Sequence, residues 1–168
     1  MKRLDFLQEQ NWLRFQVDEE NFALPLSTVG EVAKPRRSYM IPMVPAEVAS
    51  VIALRGEPLL VFNTSSVLMQ RIASDQSQVI VVEQGPQRVG LFASHVDRVE
   101  QIALGPTELE DDEETSARAP AYLVWRNVRD KGVGFLDPRS FLEHATTLLQ
   151  VVRPTAQPKG EQQCLSAF

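Results

Sequence analysis

The sequence predicts an all-β fold with one C-terminal helix, and three observations predict it. Apolar residues recur with a period of two, as in Leu13-Arg14-Phe15-Gln16-Val17, the alternation of a half-buried strand. Turn-forming clusters interrupt these runs at short intervals, as at Asp18-Glu19-Glu20-Asn21 and Gln84-Gly85-Pro86-Gln87. Only the stretch after Asp137 combines a helix start signal with a helical apolar stripe. About ten short strands with so few helices fit barrels, which remove the exposed edges that invite aggregation.

Taken in order, Leu13, Phe15 and Val17 share one face of the first strand, and Phe22, Leu24 and Leu26 resume the alternation after the turn. Pro25 has no N–H to give a ladder, which argues for an edge position or a bulge. Val29 to Val32 reads as a further strand. Pro42 and Pro45 make Met40 to Ala46 irregular, because each removes a donor and restricts its predecessor. Val48 to Leu54 and Leu59 to Phe62 follow as strands joined at Arg55-Gly56-Glu57-Pro58, and Ser65 to Ile72 is either a short helix or irregular. Val79 to Val82 is a buried strand. Val89, Leu91 and Ala93, then Val96, Val99 and Ile102, continue the pattern.

The stretch Gly105 to Pro120, acidic in its middle, reads as the least ordered interior segment. Tyr122 to Val128 and Val133 to Leu136 pair across Arg129-Asp130-Lys131-Gly132. Asp137 then caps the helix, Pro138 suits its first position, and Phe141, Ala145, Leu148 and Leu149 form its stripe. The organisation expected is an N-terminal segment over residues 1–11, one unit over 12–152 with lobes near 22–78 and 79–136, and a loose tail over 153–168.

Composition narrows the function. The 168 residues are 43% hydrophobic, enough for a core without disulfides or metals, and Cys164 has no partner in the chain. Against 17 basic residues stand 22 acidic ones, six of them (Glu108, Glu110, Asp111, Asp112, Glu113, Glu114) in one run. Outside that run the signs nearly balance, which disfavours a nucleic-acid binder. The run itself reads as a solvated loop, with steering towards a basic partner as the minority view. No apolar stretch is long enough for a signal peptide or a membrane span, so a cytoplasmic location without membrane insertion is expected.

An internal echo is present. Phe22-Ala-Leu-Pro-Leu-Ser-Thr-Val-Gly-Glu-Val32 aligns without gaps on Val89-Gly-Leu-Phe-Ala-Ser-His-Val-Asp-Arg-Val99, with Leu24/Leu91, Ser27/Ser94, Val29/Val96 and Val32/Val99 identical. Each copy follows a strand and a polar turn at the same spacing, suggesting two similar β-lobes.

From Trp12 to Leu149 the chain resembles the CheW-type chemotaxis coupling proteins. The matching pieces are Phe22 to Val32, ending in Val-x-Glu-Val; Ile41-Pro42 to Val44-Pro45 with Val48-Ala-Ser-Val-Ile-Ala-Leu-Arg-Gly56; Val79-Ile-Val-Val-Glu83 leading into Val89-Gly-Leu91 and Val96-Asp-Arg-Val99; and Phe135-Leu-Asp-Pro138 with Phe141-Leu142. The chain departs from the family pattern at Ser50, Ala53, Leu60, Asn63 and Ala93-Ser94, which marks a divergent member. The resemblance implies two intertwined SH3-like five-stranded barrels and a non-enzymatic adaptor. It implies a histidine kinase regulatory domain and the cytoplasmic tip of transmembrane chemoreceptors as partners, with recruitment to receptor clusters. An adaptor of a type IV pilus (twitching) or other non-flagellar signalling pathway is the alternative.

For the site, the resemblance assigns Arg55 with Glu31 as the central pair, flanked by Val29, Val32, Val51, Leu54, Gly56 and Ile80 as partner contacts. The plainer reading makes Arg55 a solvated turn residue and the aliphatic positions core. An enzyme would have to use Ser94, His95 and Asp97, or His144. Neighbours on a strand point to opposite faces, so Ser94 and His95 form no nucleophile–base pair, and His144 is expected to be exposed. No metal-ligand spacing or phosphate loop occurs, and no cofactor is expected. A small β-barrel hydrolase remains the outsider.

Overall fold

The computed structural model describes residues 5–69, 77–104 and 119–151. Eleven strands run β1 (Asn11–Val17), β2 (Glu20–Pro25), β3 (Val29–Ala33), β4 (Ser38–Tyr39), β5 (Val48–Leu54), β6 (Glu57–Phe62), β7 (Gln78–Gln84), β8 (Gln87–Ala93), β9 (His95–Gln101), β10 (Leu123–Val128) and β11 (Lys131–Leu136). Helix α1 spans Thr64–Met69 and α2 spans Pro138–Val151; 3-10 turns occupy Asp5–Gln8 and Leu26–Thr28. The acidic run, Cys164 and the 153–168 tail lie outside the described residues.

The strands form two sheets, ordered β10-β11-β2-β1-β9 and β3-β7-β8-β6-β5-β4. Both orders are open-ended among the described residues, and apart from β4 they are the same order written twice. Exchanging β1, β2, β3, β5 and β6 for β7, β8, β9, β10 and β11 turns one into the other. The echo seen in the sequence is the crossover itself: β2 leads into β3 of the other sheet, and β8 leads into β9 back in the first. The expected lobe boundary near residue 78 is therefore corrected. Each half of the chain lends its first hairpin to the sheet built by the other half.

That loan is sealed by two parallel seams. β11 pairs with β2 at Gly134↔Phe22 and Phe135↔Ala23, and β6 pairs with β8 at Val61↔Gly90 and Phe62↔Leu91. One glycine stands at each seam because no side chain fits. A Cβ on Gly134 would lie 2.7 Å from Phe22 Cδ1, and one on Gly90 would lie 2.8 Å from Val79 Cγ1.

Alternation sorts the apolar residues into three clusters. Leu13, Phe15, Val17, Phe22 and Leu24 join Ile80, Val82, Leu91 and Phe62 in one core shared by both sheets. Trp12, Val124, Val133 and Phe135 lie on the other face of the first sheet, and Ile52, Val61, Val79 and Val81 on that of the second. Leu7 and Phe6 pack onto the Trp12 cluster, so part of the N-terminal segment belongs to the fold.

Helix α2 starts as expected. Asp137 accepts hydrogen bonds from Arg139 N–H and the Ser140 hydroxyl, occupying a donor the first turn leaves unpaired. Phe141, Leu142 and Ala145 are buried against the shared core; burying Phe141 alone contributes roughly 2 kcal/mol. Leu149, expected in the stripe, is exposed, whereas Leu142, about two turns earlier on the same face, is buried. Pro25 is also corrected. Its strand is central, and the proline is tolerated as the last residue, beyond the short β11 pairing that stops at Ala23.

Candidate interaction surface

Strands β5 and β6 are joined by the two residues Arg55 and Gly56, whose φ angles of 52° and 86° match a type I′ hairpin turn. Arginine in this left-handed region costs roughly 1–2 kcal/mol relative to glycine. The backbone thus holds Arg55 at the tip, with its side chain 79% exposed. Its Nη2 donates to Glu31 Oε2 at 3.0 Å.

Glu31 lies on edge strand β3 beside a bulge: the register against β7 shifts between Val29 and Glu31, leaving Gly30 as the extra residue. The other carboxylate oxygen of Glu31 accepts from Arg88 Nη2 at 3.3 Å. Arg88 also donates through Nη1 to Glu57 Oε2 at 3.3 Å, and its Nε lies 3.0 Å from Glu83 Oε1. That last contact is an ion pair without hydrogen-bond alignment, since Nε has no hydrogen-bond partner. The carboxylate of Glu83 in turn covers Gly30, where a Cβ would stand 2.6 Å from Glu83 Cδ. In strand order the row reads Glu31, Glu83, Arg88, Glu57, with Arg55 closing it from the turn. Two arginines face three carboxylates, so the surface is slightly acidic.

The structure brings Glu31, Arg55 and Gly56 together and adds Arg88, Glu57 and Glu83, which the sequence reading missed. A signal existed for two of them. Glu83 and Arg88 flank the Gly85-Pro86 turn symmetrically, and an antiparallel register makes them neighbours. Val32 is 40% exposed on the same edge strand as Glu31. Val51 and Leu54 are half-buried on β5, and Val29 is half-buried against the shared core. Ile80 is corrected: it is 0% exposed within that core, so no partner reaches it while the fold is intact.

The residues an enzyme would need are engaged elsewhere. The Ser94 hydroxyl accepts from Asp18 N–H at 2.9 Å, and His95 Nε2 sits 3.2 Å from Asp97. His144 is half-buried rather than exposed, its ring 5.2 Å from that of Tyr122. Tyr122 donates to the Val67 carbonyl at 2.8 Å, and burial, with a smaller contribution from the Glu47 charge, pushes its phenol up to about 12. No described helix is long and apolar enough to cross a membrane.

Two interlocked sheets carrying an ion-paired hairpin tip define a two-sheet β-scaffold. The chain matches the CheW-like domain over residues 11–146, and it belongs to that family of scaffolding adaptors, which are not enzymes. Its fold is similar to the crystal structure of the scaffolding protein TtCheW from Thermoanaerobacter tengcongensis, with a TM-score of 0.64 and 22% identity over 76% of this chain and 84% of that one. No curated protein matches the sequence.

Proposed function

We propose that this chain is a cytoplasmic adaptor that couples the tips of transmembrane chemoreceptors to a CheA-type histidine kinase, and that the Arg55–Glu31 surface carries the coupling. The observation behind this reading is the position of Arg55. An exposed pair of this kind contributes only about 0–1 kcal/mol to stability. It can therefore exchange its bonds for those of a partner at little cost to the fold. Meanwhile Arg88 keeps Glu31 in place, so the surface remains organised when Arg55 turns outward. A rigid body with two binding surfaces raises the effective concentration of kinase near receptor, which is the whole mechanism.

The test is reconstitution of kinase control with receptor tips, kinase and this protein. Arg55→Asp is expected to abolish coupling while far-UV circular dichroism stays native. Normal coupling by a folded Arg55→Asp variant removes the assignment.

A further inference from the structure

The internal symmetry of the fold gives the Arg55–Glu31 surface a counterpart at the far end of the other sheet, and the counterpart has the opposite charge. Strand ends correspond residue for residue: Asn11–Val17 with Gln78–Gln84, and Glu20 with Gln87. The turns between them start on Asp18 and Gly85, both left-handed at φ 55° and 57°. The β10–β11 hairpin repeats the β5–β6 hairpin, with Arg129 at its tip at φ 51° where Arg55 has 52°.

Transferring the first surface onto the second shows what has been rewritten. Glu31 becomes Arg98, Glu83 becomes Gln16, Arg88 becomes Asn21, and Glu57, the first residue of β6, becomes Lys131, the first residue of β11. Arg55 alone keeps its charge, as Arg129. Every carboxylate of the first surface is replaced by a cation or an amide. An exposed valine persists on each edge strand, Val32 at 40% and Val99 at 49%.

The five counterpart residues, though not Val99, line a cleft of about 440 Å³ together with Arg14, Asp97, Glu100 and Val128. Four cations there face two carboxylates, and both carboxylates are already engaged. Glu100, 12% exposed, receives Arg14 Nη1 on one oxygen and Arg129 Nη1 on the other, each at 3.2 Å. Asp97 lies against His95. Arg98 is 70% exposed, with Glu100 no nearer than 3.9 Å, and Lys131 makes no ion pair among the described residues. The cleft thus offers two exposed cations, Arg98 held only at 3.9 Å by a Glu100 already shared with two other arginines and Lys131 with no ion pair among the described residues. They stand beside an edge strand whose outer side is unpaired among the described residues.

We infer that this cleft is a second docking surface, which takes an acidic segment of a partner protein. Extended acidic chain suits it: carboxylates meet Arg98 and Lys131, an apolar side chain meets Val99, and the backbone can pair along β9. The cleft is cationic in a chain of net charge -5, so bulk attraction does not explain binding there.

The test is fluorescence anisotropy of the full chain with a labelled peptide alternating glutamate and alanine, and with a matched peptide carrying glutamine for glutamate. The acidic peptide is expected to bind saturably and more weakly as salt rises, and the glutamine peptide roughly tenfold less well. Arg98→Glu with Lys131→Glu, both exposed, is expected to weaken the acidic peptide by about tenfold or more, whereas Arg55→Asp leaves it unchanged. This pattern is independent of the kinase assay, so the two readings fail separately. Equal binding of both peptides, or of the double variant and the parent, overturns the inference. Equal competition by single-stranded oligonucleotide overturns the partner class. A gain in affinity on neutralising Glu108, Glu110 and Asp111 to Glu114 makes the chain's own acidic run the occupant and overturns the partner.

Discussion

Arg88 holds Glu31 from the side opposite Arg55: its Nη2 donates to Oε1 while Arg55 binds Oε2. The two arginines have different duties. Arg55 is exposed, whereas Arg88, 31% exposed, is the cation that keeps three carboxylates on neighbouring strands compatible.

Replacing Arg88 by Met preserves the aliphatic stem and leaves Glu31, Glu57 and Glu83 facing one another. We expect a loss on the order of 1 kcal/mol, discounted for solvent, that added salt partly restores. Urea unfolding at low and high ionic strength checks it; a loss insensitive to salt would mean packing rather than charge.

Gly134→Ala tests the parallel seam between β11 and β2. The ring it meets belongs to Phe22, which is fully buried, stacked on Phe15 at 5.6 Å and tilted against Trp125 at 5.4 Å. With no room to retreat, the expected cost is about 1–3 kcal/mol of overpacking. Gly132→Ala on the same strand meets nothing within 4 Å and is expected to be close to neutral. Equal unfolding midpoints for the two variants would dismiss the steric account.

Tyr122 predicts an alkaline transition. Burial, with a smaller contribution from Glu47, pushes its folded phenol up to about 12 from the ordinary tyrosine value of 10.0, so the native state holds the proton more tightly than the unfolded chain. Stability is unaffected below the unfolded value and falls as pH rises from there through the folded one, by on the order of 2 kcal/mol. In a Tyr39→Phe background, phenolate absorbance should rise together with loss of structure. Tyr122→Phe should lower stability at neutral pH by about 1 kcal/mol, through the lost bond to Val67, and flatten the alkaline limb. An unchanged limb would assign the transition to other groups.

The strands were legible because their alternation is strong: Leu13, Phe15 and Val17 point into the shared core and Trp12 away from it, as a period of two requires. Their partners were not. The seams at Gly134↔Phe22 and Val61↔Gly90 join residues far apart in sequence, and no local pattern encodes them. The same gap explains Ile80. In β7 both faces are buried, so alternation marks the strand without separating inside from outside. Arg55 and Glu31 were reached through family resemblance, whereas Arg88 was missed because its role exists only after four strands are laid side by side.

The lending of hairpins between the sheets has a mechanical corollary. Severing the polypeptide between α1 and β7 would, among the described residues, strand β3 without a neighbour and deprive β9 of its only one. Neither fragment would stand alone, yet the two mixed should find each other and rebuild the native body. This cross-stitching means that a pull on either sheet is resisted by the entire framework and not by a single linker.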